Sequence, residues 1–130
     1  MQEKRPWAVA ATWSAVGASL ATSYWLSSRT LTSIRLPRHT DKVLHTVAYA
    51  ALAGLFLAAL RTTWPGRRVG LQGAIAVACA AAWGASDEWH QSFVPGRAAT
   101  VGDWVADVVG ATLSVLVVAW YIRRRPASSV

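Results

Sequence analysis

Residues 104–122 read WVADVVGATLSVLVVAWYI, and this stretch decides the fold. One formal charge, Asp107, interrupts it, and Arg123-Arg124-Arg125 follows it. Crossing the hydrocarbon of a bilayer takes about 20 apolar residues, so the stretch predicts a spanning helix. Working back along the chain, Trp7 to Leu26 is a comparable run with no formal charge. Val43 to Leu60 is long enough if its span starts near His45. Leu71 to Ser86 is short, but it reaches span length when Asp87 to Trp89 sit in the headgroup zone. Only 15% of the 130 residues are charged, against about 25% in soluble domains. The expectation is an all-α polytopic membrane protein. It is a single domain, 1–130, built as a four-transmembrane-helix bundle with spans near 7–26, 43–60, 71–89 and 104–122.

Tryptophan placement supports these ends. Trp7, Trp25, Trp64, Trp89, Trp104 and Trp120 lie at or near them, and only Trp13 and Trp83 lie inside the runs. An indole has an apolar body and one N–H donor, so it settles where lipid meets water.

The net charge of +7 does not point to nucleic acid, because the basic residues cluster at the ends of the spans. There they anchor helices and meet anionic lipid. With four spans, one side carries Lys4, Arg5, Arg61, Arg67, Arg68 and Arg123 to Arg125; the other carries Arg29, Arg35, Arg38, Lys42 and Arg97. Positive charge favours the cytoplasmic side, so both termini are expected there. Cys79 is the single cysteine, which excludes an intrachain disulfide.

Five of the six acidic residues and all three histidines fall in two stretches, RHTDKVLH (38–45) and DEWHQSFVPGRAATVGDWVAD (87–107). The predicted topology puts both at the outer face of the bundle, where they can meet. Asp41 and His45 are i and i+4 on one helix face, and Tyr49 continues it. Thr40 as N-cap would put Asp41 in the first turn, where a carboxylate suits the helix dipole. That does not account for His45, which sits in an apolar run and needs a partner. In Asp87-Glu88-Trp89-His90-Gln91, Glu88 and Gln91 are expected to face inward. Pro95-Gly96 is turn chemistry and presents Arg97, whose guanidinium suits carboxylate or phosphate. Thr100 and Asp103 resemble a capping box. Asp107 lies one turn inside a span, where a carboxylate marks function or a buried pair.

Together, D-K-x-x-H at 41–45, E-x-x-Q at 88–91, P-G-R at 95–97 and D-x-x-x-D-x-x-G at 103–110 resemble the VanZ-like membrane protein family. The resemblance runs from about Asp41 to Gly110. It implies a multi-pass protein of the bacterial inner membrane, with Asp41, Lys42, His45, Glu88, Gln91, Arg97, Asp103 and Asp107 as site residues. The family often has Asn at the position of Asp107. Its namesake is associated with resistance to the lipoglycopeptide teicoplanin, but the family supplies no defined reaction.

Three functions stay open at this level. As an enzyme, the protein would use His45 and Glu88, with Asp107, for catalysis. Asp41, Lys42, Gln91, Arg97 and Asp103 would bind an anionic envelope lipid or lipid-linked precursor. As a binding module, it would hold the same amphiphile without chemistry. As a structural protein, its polar groups would fix helix packing or homo-oligomers. No cofactor is expected, and no G-x-S-x-G elbow is present. A divalent metal on His45, His90 and carboxylates is the lesser alternative, because H-E-x-x-H and Cys/His ligand spacings are absent.

Overall fold

The structure, a computed structural model, describes residues 5–29, 40–97 and 99–124. Four helices are found among them: α1 (Pro6–Ser27), α2 (Thr40–Thr63), α3 (Val69–Gln91) and α4 (Val101–Arg124). Pro6 opens α1, a position where its missing N–H has no helical partner to lose. Between α2 and α3 the chain turns through Trp64-Pro65-Gly66. Buried Gln72 holds that turn, donating to the carbonyls of Leu60 and Trp64 at 3.3 and 2.8 Å.

Contacts between side chains fix the helix directions. Thr12 and Trp13 meet Thr62 and Thr63, so α1 and α2 run antiparallel. Ser23 accepts from Trp83, which aligns the C-terminal halves of α1 and α3. Lys42 and His45 meet Asp103 and Asp107, which aligns the starts of α2 and α4. The result is an up-down-up-down bundle. One end gathers the last turns of α1 and α3 with the first turns of α2 and α4, and both polar stretches lie there.

Helices α2, α3 and α4 are each long and apolar enough to cross a membrane. Helix α1 falls short of that hydropathy, although no charge interrupts it, because Trp, Tyr, Ser and Thr dilute its Ala, Val and Leu. It leans on α2 and touches α3 only lightly. The interior is built mainly from one face of α2, with Leu52, Ala53, Phe56, Leu57, Ala59 and Leu60. Against it pack small residues of α3 and α4: Ala76, Ala80 and Ala111 are fully buried. Leu113, Leu116 and Val117 point outward at 56%, 60% and 64% exposure. Such an apolar exterior suits lipid better than water.

The two tryptophans inside the runs each have a specific partner. Trp13 donates to Thr63 Oγ1 at 2.9 Å and sits edge-on to Phe56, while Trp83 donates to Ser23 Oγ at 2.8 Å. Each satisfies its indole N–H across a helix contact, where an unmatched donor would be costly.

Candidate functional site

The α3 face that carries the site follows helical spacing: Ala76, Ala80, Gly84, Asp87 and Gln91 are all buried. On α4 the equivalent stripe is Asp103, Asp107, Gly110, Ala111 and Val115. These faces turn His45, Glu88 and Asp107 toward one point. One ligand-type atom from each lies within 4.8 Å of the others.

Asp107 is 1% exposed. Its Oδ1 lies 3.1 Å from His45 Nδ1. Its Oδ2 is buried with no hydrogen-bond partner among the described residues. The His45 ring lies parallel to the Tyr49 ring at 6.3 Å between centroids. Glu88 accepts the backbone N–H of Thr100 on Oε2 at 2.9 Å, and its Oε1 is buried without a partner among the described residues. Asp87 accepts from Gln91 Nε2 at 3.1 Å and Tyr49 OH at 3.5 Å on Oδ2, leaving Oδ1 buried and likewise unpartnered.

The cations serve other groups. Lys42 Nζ pairs with Asp103, which is buried and also accepts from Thr100 Oγ1 at 2.7 Å. The capping box therefore forms by half. Thr100 Oγ1 accepts the N–H of Asp103 at 3.2 Å, but the N–H of Thr100 goes to Glu88 across the loop. Arg97 follows the Pro95-Gly96 turn, in which Gly96 has φ of 80°, a value that favours glycine. Arg97 Nη2 donates to Leu26 O at 2.9 Å, joining the α3–α4 loop to the end of α1. An Arg97→Ala variant should lose about 1–2 kcal/mol. Hydrogen exchange should rise at Tyr24 to Ser28 and stay unchanged in α4.

Of the expected site residues, His45, Glu88 and Asp107 meet directly. Lys42 and Asp103 form an adjoining pair, and Gln91 supports Asp87. Arg97 serves the loop, and the side chain of Asp41 lies outside the described residues. His90 departs from the proposed ligand set, since its Nε2 is 3.0 Å from Ser28 Oγ and its ring lies against Tyr24. Asp87 is not among the site residues that the sequence singles out, yet it is one of the more buried polar residues. Extending the Ala76-Ala80-Gly84 stripe by one turn reaches it, so the signal is present in the spacing.

A pocket of about 330 Å³ opens beside the cluster, lined by Glu88, Trp89, Ser92, Thr100, Val101 and Trp104. Of the three converging side chains, Glu88 lines it. A larger groove, about 890 Å³, lies toward the other end between α3 and α4, and is lined by Val77, Val115, Leu116 and Trp120 with Arg123 at its rim. Arg123 and Arg124 are its charged lining side chains, it holds no acidic or histidine side chain among the described residues, and it resembles an ordinary lipid-facing cleft between spans.

The family model described as VanZ/LLP1 matches residues 6–122. No curated protein and no solved structure matches the chain.

Proposed function

Because the chain belongs to the VanZ/LLP1 family and is a multi-pass membrane protein, we propose that it acts on or binds an anionic envelope lipid or lipid-linked precursor. The observation that carries this reading is the meeting of His45, Glu88 and Asp107 beside a pocket flanked by Trp89 and Trp104. An amphiphile fits such a place. Its chains lie along the apolar flank of the bundle while its headgroup reaches Glu88.

In the catalytic form, Asp107 holds the imidazole of His45 through Nδ1, which makes Nε2 the nitrogen that exchanges protons with substrate. Glu88 is the second member of the acid/base pair, oriented by the Thr100 N–H. The basic residues at the opposite end support cytoplasmic termini in the bacterial inner membrane and a site at its outer leaflet. Tolerance to a glycopeptide or lipoglycopeptide would follow if the lipid handled here is the one the antibiotic meets. The non-catalytic alternative uses the same pocket and retains the amphiphile unchanged. A purely structural role is less well supported, since buried carboxylate oxygens without donors add nothing to packing.

The test compares wild type and Glu88→Gln in lipid nanodiscs supplied with extracted bacterial envelope lipids, followed by native mass spectrometry. An enzyme converts a lipid, and Glu88→Gln lowers the rate by about 10²- to 10⁴-fold with little change in melting temperature. A binding module retains an anionic amphiphile without converting it. Neither retention nor conversion, with melting temperature the only property affected, would overturn the proposal in favour of the structural role.

A further inference from the structure

We infer that His45, Glu88 and Asp107 form a site for one divalent cation of the Zn²⁺ or Mn²⁺ class, and that this cation receives the anionic headgroup. The headgroup clause rests on the function proposed above; the cation clause does not.

The first argument is charge. An anionic headgroup arriving at this pocket meets Glu88, and Asp107 belongs to the same cluster. The cations that the sequence offers for such a headgroup are engaged elsewhere, Lys42 with Asp103 and Arg97 with the end of α1. A protonated His45 would offset one carboxylate only. Ionised carboxylates are costly to bury without a counter-charge, and a divalent cation supplies two charges at the point where the side chains converge.

The second argument is the unused oxygens. Asp107, 1% exposed, has an Oδ2 with no donor among the described residues, and so does Glu88 at Oε1. Asp107 Oδ2 is turned toward α3, lying 3.1 Å from the point a Cβ on Gly84 would occupy. Gly84, one turn before Glu88, lets that oxygen approach α3 closely, with Tyr49 Cε1 and Trp104 Cδ1 at 3.2 and 3.3 Å from the same point. Buried acceptors without donors, on side chains that converge with His45, are what a cation needs.

The third argument is spacing. Two ligands about 2.1 Å from one ion, at angles of about 90–110°, stand about 3.0–3.4 Å apart. The 3.1 Å between His45 Nδ1 and Asp107 Oδ1, a hydrogen bond without the ion, falls in that range, so the ion would take the place of the Nδ1 proton; the cluster spans up to 4.8 Å, and binding would draw the outlying ligand inward by a side-chain rotation. The set of one imidazole and two carboxylates suits Zn²⁺ or Mn²⁺ better than Mg²⁺ or Ca²⁺, which prefer oxygen alone. An outer partner is also in place. The Thr100 N–H orients Glu88, as hydrogen-bonding partners do around metal ligands. His90 has no part in this set.

The experiment uses full-length protein in nanodiscs of neutral lipid, stripped with a chelator and titrated separately with ZnCl₂, MnCl₂ and MgCl₂. Metal content and melting temperature are the readouts. About one equivalent of Zn²⁺ or Mn²⁺ should bind saturably and raise the melting temperature, with Mg²⁺ doing neither at equal concentration. Glu88→Gln and Asp107→Asn, near-isosteric changes, should each weaken binding at least about tenfold while helical circular dichroism is preserved. His90→Gln should bind like wild type. No saturable Zn²⁺ or Mn²⁺ binding, or binding unaltered in both carboxylate variants, overturns the cation site. Lipid conversion or retention in a protein that binds no metal would sink this inference and leave the proposed function standing. Metal binding in a protein that ignores envelope lipid would do the reverse.

Discussion

Gly110→Ala should lower the melting temperature by roughly 10 °C and unseat the site. An added Cβ at position 110 would fall on the backbone of Thr46, overlapping its carbonyl oxygen and lying 2.9 Å from its carbonyl carbon and 3.1 Å from its Cα. The obstacle is the main chain of α2 and not the tip of a flexible side chain, so the two helices must separate. Overpacking of this kind costs about 1–3 kcal/mol or more. The better helix propensity of alanine returns only about 1 kcal/mol. For a domain of this size each kcal/mol moves the midpoint by about 4 °C. A gross cost of about 3.5 kcal/mol, just beyond that range because the clash is with main-chain atoms, leaves a net loss near about 2.5 kcal/mol and accounts for the shift. Thr46 follows His45, and Gly110 is one turn beyond Asp107, so separation here also stretches the 3.1 Å His45–Asp107 contact. The half-buried Cys79, the one thiol in the chain, can report unfolding through a thiol-reactive dye. Gly17→Ala is the control, because nothing lies within 4 Å of its added Cβ. An unchanged midpoint for Gly110→Ala would show that α2 and α4 do not cross as closely as described.

Lys42→Met should cost about 2–3 kcal/mol, and adding Asp103→Asn should recover much of that loss. The Asp103 side chain is 8% exposed and Lys42 is 46% exposed. Removing one partner of a fully buried pair costs about 3–5 kcal/mol, because the other charge is left without compensation. Solvent at the open side of Lys42 lowers that figure here. In the double variant the carboxamide that replaces the Asp103 carboxylate has no charge to strand, and it can still meet Thr100 Oγ1. Thermal unfolding of both single variants and the double variant gives the coupling energy directly. Additive losses would mean that the pair contributes no mutual stabilisation.

Much of the site is legible in the sequence. Ionisable side chains within apolar runs are rare, so His45 and Asp107 stand out, and matching loops on one side of the bundle put them at the same end. Helical spacing also reaches Asp87 through Ala80 and Gly84. It cannot by itself decide which of Asp87, Glu88, His90 and Gln91 turn inward. A repeat of 3.6 residues says which side chains share a face, but not how that face is rotated toward its neighbours.

The amino-acid order thus dictated four helices, their ends and the end of the bundle where polarity collects, because hydropathy and charge act locally along a chain. Packing settled the rotation of each helix, through close approaches such as Gly110 on Thr46 and Gly84 beside Asp107. That rotation paired Lys42 with Asp103, sent Arg97 to Leu26 and left buried oxygens of Glu88 and Asp107 without donors among the described residues. Such pairings join residues far apart in the chain, and their partners depend on fractions of an ångström in helix separation, which no local pattern encodes.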